Sequence, residues 1–128
     1  MPKQAILIPN APTPAGPYSH GVVANGFLYT AGFGPQDPAT GEVVAGGVAE
    51  QTAQVLRNIE AVVTAAGATM DDVVKTTAHL QHLKRDFAAY NAAYAAVFSE
   101  PYPVRTTVGS ELYDILVEID VVVALPAE

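Results

Sequence analysis

The run of residues 115–123 constrains the fold more than any other stretch of this chain. It is apolar and mostly β-branched, which predicts a strand, and only Glu118 and Asp120 interrupt it. Such a strand is hydrophobic on both faces, so one layer of helices leaves apolar surface on the open face of its sheet. We therefore expect that face to be buried against other subunits in a closed homo-oligomer.

A second run, residues 101–109, carries a charge in similar surroundings. Arg105 lies within it, and a charge drawn out of water needs a partner. If the two runs form an antiparallel hairpin that turns through residues 109–114, Arg105 lies opposite Glu118 on the same face. Two interpretations stay open: a structural salt bridge, or a pocket in which Arg105 binds a substrate carboxylate while Glu118 handles a proton or a water.

The rest of the chain alternates strand and helix patterns. Asn25 and Gly26 are a strong hairpin signal, and the prolines of residues 9–17 predict an extended connector. Gly67 is the predicted C-terminal cap of a first helix, and Asp86 is the predicted N-cap of a second. We predict strands over residues 3–8, 21–24, 27–32, 73–80, 101–109 and 115–123, and helices over residues 48–66 and 87–99.

These elements predict an α+β fold, a two-layer sandwich in which two helices cover a mixed sheet of about six strands. Residues 1–128 are expected to form one domain. On the first helix, the polar residues Gln51, Gln54 and Asn58 are placed mostly off the apolar stripe that covers the sheet.

The composition disfavours several partners and chemistries. The formal net charge is -7, so a surface that neutralises phosphates is hard to build and nucleic acid is not an expected partner. The chain has no cysteine, which removes thiolate nucleophiles and thiolate metal sites. No export leader or membrane-spanning run is recognisable, so we expect a soluble cytoplasmic protein without a membrane partner.

His79 and His82 are the two histidines whose spacing allows them to be considered as metal ligands. His79 and His82 are three residues apart, where strand side chains point to opposite faces, and no third ligand lies nearby in sequence. A metal site is therefore not expected. The chain also lacks a serine-centred elbow and an HExxH motif, so no sequence motif indicates a nucleophilic or a metallohydrolase mechanism.

Seven segments form a collinear set over nearly the whole chain. They are Gly-Pro-Tyr-Ser-His-Gly at 16–21, Asn-Gly-Phe-Leu-Tyr-Thr-Ala-Gly at 25–32, residues 51–67, Val-Val-Lys-Thr-Thr at 73–77, residues 87–98, Pro-Val-Arg-Thr-Thr at 103–107 and Val-Glu-Ile-Asp at 117–120. In this order the set resembles the Rid family, also called YjgF. The resemblance implies a chorismate-mutase-like α+β fold and a homotrimer with clefts between neighbouring subunits.

The resemblance also implies an activity similar to that of 2-iminobutanoate/2-iminopropanoate deaminase. Such a hydrolase acts on C=N bonds and converts reactive, carboxylate-bearing enamines or imines to ketoacids and ammonia without a cofactor. Arg105 would hold the substrate carboxylate, and Glu118 would position the attacking water. Tyr18 falls on the pocket tyrosine of the family, Asn91 on the asparagine of its second helix, and Gly32 would lend its backbone to the site.

The chain departs from the family pattern around this site. Ala31 and Phe33 replace a frequent serine and glutamine, Thr107 stands where a cysteine is common, and His20 replaces a frequent glutamine. Ala31, Phe33 and Thr107 are therefore candidate substrate-binding residues, and a bulkier imine of a specialised pathway is as admissible a substrate as the small enamines that amino-acid dehydratases release. Alternatives to deamination are a carboxylate-binding regulatory trimer without turnover and a chaperone-like role.

Overall fold

The computed structural model describes residues 3–127, which form six strands and two helices. The elements are β1 (Gln4–Ile6), β2 (Gly21–Ala24), β3 (Phe27–Thr30), α1 (Val48–Ala65), β4 (Val73–Leu80), α2 (Leu83–Ala95), β5 (Val104–Gly109) and β6 (Val117–Ala124), with a 3-10 turn, Met70–Asp72, before β4. The predicted α+β sandwich is confirmed. Over the same residues, no helix has both the length and the apolar character that a membrane crossing requires.

β6 lies inside the sheet, whose strand order is β1-β2-β3-β6-β4-β5. All neighbouring pairs are antiparallel except β4 and β5, which are parallel. The sequence explains this central place, because every second residue of β6 is a large aliphatic that is buried beneath the helices: Val117, Ile119, Val121 and Val123. Such a strand is stable where neighbours on both sides and a helix layer exclude water.

The predicted hairpin between the last two strands is wrong, because β4 lies between β5 and β6. Arg105 pairs with Thr76 on one side of β4, and Glu118 pairs with His79 on the other. The reason is topological. Helix α2 connects β4 to β5, and a strand-helix-strand connection brings the chain back to the same end of the sheet, which makes the two strands parallel.

The two helices pack on the same face of the sheet and enclose the core. Gly67 follows α1 at φ +86°, the left-handed conformation that a C-terminal cap needs. The predicted bounds of α2 are wrong, since the helix runs from Leu83 to Ala95 and Asp86 lies in its first turn rather than at the N-cap. Leu83 packs against the core, which favours the earlier start.

Three polar residues of α1, Gln51, Gln54 and Asn58, are buried, contrary to the prediction. Asn58 Nδ2 donates to the carbonyls of Gly34 at 3.0 Å and Gln36 at 2.9 Å, and its Oδ1 accepts a hydrogen bond from Gln54. Gln51 accepts the main-chain N–H just before β6. Buried loop groups without a strand partner need such side chains, so Asn58 and Gln54 fix the loop that follows β3, and Gln51 fixes the segment before β6.

The turn between β2 and β3 has the predicted form. Asn25 and Gly26 have φ of 53° and 82°, as a tight hairpin turn requires. This register directs Leu28 into the core, where it is fully buried, and leaves Tyr29 46% exposed on the other face. The turn therefore decides which aromatic and aliphatic side chains reach the open face.

The open face of the sheet is apolar at its flanks and polar in its centre. Tyr29 on β3 and Val104 on β5 are 46% and 65% exposed. Between them, Glu118 lies opposite His79 on neighbouring strands. Large exposed apolar side chains on a regular sheet face are typical of a surface that another protein chain covers.

Candidate active site

Arg105 lies on the edge strand β5, on the side that faces α2. Its guanidinium carbon is 4.7 Å from the ring centroid of Tyr94, 5.4 Å from that of Tyr90 and 5.9 Å from that of Phe87. These rings are three and four residues apart, so they share one face of the helix. Cation-π contacts of this kind hold the guanidinium in place while its N–H groups stay available to an anion.

Hydroxyl groups fix the rings beneath the guanidinium. A hydrogen bond of 2.9 Å joins Tyr94 to Thr76, and another of 2.9 Å joins Tyr90 to Thr107. Burial raises the pKa of the Tyr94 phenol, and the hydrogen bond to Thr76 and the charge of Arg105 partly oppose that rise. Tyr94 is therefore a neutral hydrogen-bonding group at physiological pH, and it does not pair with Arg105 as an anion.

A cavity of about 350 Å³ opens beside the guanidinium. Its lining consists of Asn91, Tyr94, Ala95, Tyr102, Pro103 and Arg105. Within residues 3–127 the recorded ion pair is Arg85 with Asp86, so no carboxylate of the described chain neutralises Arg105. A positive charge at the mouth of a mainly apolar cavity suits a small carboxylate ligand.

Glu118 lies on the open face of β6, against the backbone at the end of β3. A methyl group built on Gly32 would lie 2.6 Å from Glu118 Oε2, so a larger residue there would displace the carboxylate. Phe33 and Ile119 exchange two main-chain hydrogen bonds of 2.8 and 3.2 Å beside this contact. The absence of a side chain at Gly32 therefore leaves the space that the Glu118 carboxylate occupies.

A second cavity, of about 420 Å³, lies between the proline-rich connector and the loop after β3. Tyr18, Gly32, Phe33 and Gln36 are among the residues that line it. The hydroxyl of Tyr18 accepts a hydrogen bond of 3.0 Å from the Ala15 N–H, which leaves its own proton free to donate. The connector thus presents a hydrogen-bond donor at the edge of this cavity.

Arg105 and Glu118 do not meet within one chain. Arg105 pairs with Thr76, whose side chain is fully buried on the helix side. Glu118 alternates with the buried residues Val117 and Ile119, so it points to the open face. The predicted shared position is therefore wrong for a single chain, both as a salt bridge and as a pocket.

The candidate residues instead form two sets. We call Asn91, Tyr94, Tyr102, Pro103 and Arg105 the arginine half-site. We call Tyr18, Gly32 and Phe33, which line the second cavity, together with Glu118, which lies beside Gly32 but does not line that cavity, the glutamate half-site. Of the other predicted residues, Thr107 supports Tyr90 from β5, and Ala31 donates its N–H to the carbonyl of His20 at 3.0 Å. Neither of these two residues lines either of the two cavities described above.

The polar centre of the open face holds a further group of titratable residues. His79 Nδ1 is 2.6 Å from Ser110 Oγ. Burial raises the pKa of the Asp120 carboxyl, and the charges of His79 and Lys75 partly oppose that rise. Among the residues described, no three His, Cys, Asp or Glu side chains are placed to hold a metal ion.

The aromatic platform under Arg105 was not predicted as part of the site. The helical pattern of residues 87–99 places Phe87, Tyr90 and Tyr94 on the inward stripe of the predicted second helix and gives them no role in the site. A signal was available, because three rings at helical spacing must cover whichever strand follows the helix. Using it required the parallel pairing of β4 with β5, which the hairpin interpretation excluded.

Known proteins resemble this chain over nearly its full length. Residues 8–125 match the family model described as Endoribonuclease L-PSP. A RutC family protein of Pyrococcus horikoshii is 44% identical over 122 residues, which cover 94% of this chain and 96% of the relative. A 2-iminobutanoate/2-iminopropanoate deaminase of Dermatophagoides farinae is 39% identical over 108 residues, which cover 84% of each protein.

The solved structures agree with the fold. The crystal structure of the YjgF gene product of E. coli superimposes with a TM-score of 0.88 at 40% identity, and covers 94% of this chain and 98% of that one. The predicted chorismate-mutase-like architecture is therefore confirmed.

Proposed function

Because this chain belongs to the Endoribonuclease L-PSP family, also called the YjgF or Rid family, we propose that it is an imine deaminase. Its substrates are carboxylate-bearing enamines or imines, and its products are ketoacids and ammonia. The observation that carries the proposal is the Arg105 guanidinium, which lies over three aromatic rings beside an open cavity and has no carboxylate partner among residues 3–127. A relative named as a deaminase supports the reaction class.

We propose further that the complete site forms between subunits of a homotrimer. In one chain Arg105 and Glu118 face opposite sides of the sheet, so a small substrate cannot touch both. Arg105 lies on the edge strand, where the open face of a neighbouring subunit can approach it. The exposed flanks of that face, Tyr29 and Val104, provide apolar area for the interface.

The proposed reaction needs binding, one water and proton transfer. Arg105 binds the substrate carboxylate through two N–H groups, which orients the imine carbon towards the glutamate half-site. Glu118 accepts a proton from a water about 3 Å from that carbon, and the water oxygen bonds to the carbon as the C=N electrons move to nitrogen. Glu118 returns that proton to the nitrogen, which gives a carbinolamine. The hydroxyl proton then moves to the same nitrogen, and as the C=O bond forms the C–N bond breaks and ammonia leaves.

The test is the release of ammonia and ketoacid from 2-iminopropionate or 2-iminobutyrate, generated by an amino-acid oxidase with semicarbazide as the competing trap. We expect the unaltered protein to accelerate hydrolysis, and Arg105→Ala and Glu118→Gln each to lose about a hundredfold in kcat/KM. Arg85→Ala and Glu111→Gln are the matched controls, because both residues lie outside the half-sites and are expected to leave the rate unchanged. Full activity of Arg105→Ala would contradict the proposal.

A carboxylate-binding trimer without turnover is the second candidate. It is favoured by the arginine half-site, which is assembled within one chain without Glu118. Calorimetry separates the two functions, since a binder would keep its affinity for a ketoacid in Glu118→Gln and show no imine hydrolysis in any variant. If small imines are bound but not hydrolysed, bulkier imines are the next substrates, because the cavity beside Phe33 has room for a larger side chain.

A further inference from the structure

His20 is a buried histidine with a defined hydrogen-bonding pattern. It is 2% exposed and lies where the connector ends and β2 begins. The main-chain N–H of Ile8 donates to its Nδ1 at 3.1 Å, and its Nε2 is 2.7 Å from the carbonyl oxygen of Pro12. An N–H group can only donate and a carbonyl can only accept, so Nδ1 carries the lone pair and Nε2 carries the proton.

The connector depends on this ring for its conformation. Four of the residues between Ile8 and Tyr18 are prolines, which lack the N–H donor that a strand or a turn would use. The imidazole replaces those missing bonds, because it accepts at the start of the connector and donates at its middle. Both bonds constrain the path of the chain towards Tyr18, two residues before His20.

The same ring also contacts the other wall of the glutamate half-site. The centroid of the imidazole is 5.7 Å from that of the Phe33 ring. The main-chain carbonyl of His20 accepts a hydrogen bond of 3.0 Å from the N–H of Ala31. Phe33 in turn exchanges main-chain hydrogen bonds with Ile119, the residue after Glu118. The His20 side chain therefore contacts the segments that carry Tyr18 and Gly32, and the main chain of the second segment is hydrogen-bonded to the strand that carries Glu118.

We propose that His20 is a positioning residue that holds Tyr18 and the Gly32–Phe33 wall in place for catalysis. The proposal rests on the proposed deaminase function for its catalytic part. It requires a side chain that accepts one hydrogen bond and donates another within the protein, and bulk alone does not satisfy it. Glutamine offers an amide oxygen and an NH₂ group at similar reach, whereas leucine offers only volume.

The experiment compares His20→Leu with His20→Gln in two readouts. Hydrogen exchange measured by mass spectrometry follows the amides of residues 8–19 and 31–34 and needs no catalysis. In His20→Leu we expect exchange there to be about three- to tenfold faster, because the Ile8 amide loses its acceptor. We also expect kcat on the imine substrate to fall about tenfold or more, with KM little changed, because the carboxylate is bound at the arginine half-site.

The glutamine variant is expected to restore both readouts, and His82→Gln, at an exposed histidine, is the matched control. If His20→Leu does not fold, His20→Asn replaces it, because its shorter side chain reaches only one of the two partners. Unchanged exchange in His20→Leu would overturn the anchoring, and faster exchange with unchanged kcat would overturn the catalytic role. If the unaltered protein does not hydrolyse imines, the proposed function fails, while the exchange data still decide whether His20 anchors the two walls.

Discussion

At the scale of single residues, Arg105 has no carboxylate partner among residues 3–127 and is instead held in place for a ligand by aromatic rings. Its guanidinium rests on the rings of α2, and those rings are held by hydroxyls of β4 and β5. Each cation-π contact contributes about 0.5–1 kcal/mol at an exposed site, enough to restrict the side chain but not to satisfy its donors. Because the side chain is already ordered, the entropic cost of binding a ligand is lower.

The Tyr94 ring should therefore matter more than its hydroxyl. We expect Tyr94→Leu to weaken the binding of the product ketoacid about three- to tenfold, because the guanidinium loses the ring closest to it. Tyr94→Phe keeps the ring face and is expected to bind nearly as tightly as the unaltered protein. Calorimetry at constant pH and salt measures both affinities.

The control for this pair is Tyr113→Leu, since Tyr113 is 92% exposed on the loop before β6. Circular dichroism spectra of each variant show whether the fold is kept. Equal affinity of Tyr94→Leu and the unaltered protein would mean that the platform does not contribute to binding.

At the scale of the elements, the sequence predicted what a strand or a helix buries better than it predicted which strands are neighbours. Asn25-Gly26 defined the β2–β3 hairpin, and the apolar period defined α1, because both signals are local. The pairing of Arg105 depended on the crossover through α2, a relation between distant segments that no local pattern contains. The hairpin prediction failed for that reason, although it identified Arg105 and Glu118 as candidates.

The prediction for the amide side chains of α1 was wrong for a related reason. Asn58 is polar, so a periodicity argument places it off the apolar stripe, but its partners are the carbonyls of Gly34 and Gln36, more than twenty residues away. Whether a polar residue is buried depends on such partners. The sequence therefore could not reveal that α1 supports the loop beside the glutamate half-site.

Asp120 on β6 makes the folding stability depend on pH, and the direction of this dependence follows from its pKa. Burial raises the pKa of Asp120 in the folded protein, so folding favours its protonated form, and stability is lost as the pH rises through that raised pKa. We expect Asp120→Asn to be slightly more stable than the unaltered protein at neutral pH. The difference should vanish below about pH 4, where the aspartate is protonated in the unfolded chain as well.

Urea unfolding at a fixed protein concentration, repeated at several pH values, measures this difference. Glu60→Gln, an exposed position on α1, is the control for the loss of one negative charge. A lower stability of Asp120→Asn at neutral pH would mean that the attraction of His79 and Lys75 outweighs the cost of burial.

At the scale of the whole molecule, the distribution of charge and apolar surface favours self-association over nucleic-acid binding. A net charge of -7 repels a phosphate backbone, so we do not propose RNA cleavage although the family model is described as an endoribonuclease. Some of the large exposed apolar side chains, among them Tyr29 and Val104, lie on the open face of the sheet, which also carries Glu118. Assembly through that face would bring another chain to the glutamate half-site.

Mixing two inactive variants tests this arrangement directly. In the proposed trimer each site takes Arg105 from one subunit and Glu118 from its neighbour. If Arg105→Ala and Glu118→Gln are unfolded together in equal amounts and refolded, about one quarter of the sites in randomly mixed trimers receive both intact residues. We therefore expect the mixture to recover about one quarter of the activity of the unaltered protein, whereas each variant refolded alone stays inactive.

A chain with both substitutions, mixed with the unaltered protein, is the control for exchange of subunits, and native mass spectrometry measures the mixing and the trimeric mass. Fully mixed trimers without recovered activity would show that both residues act from the same chain, and a monomer at working concentration would exclude a site shared between subunits.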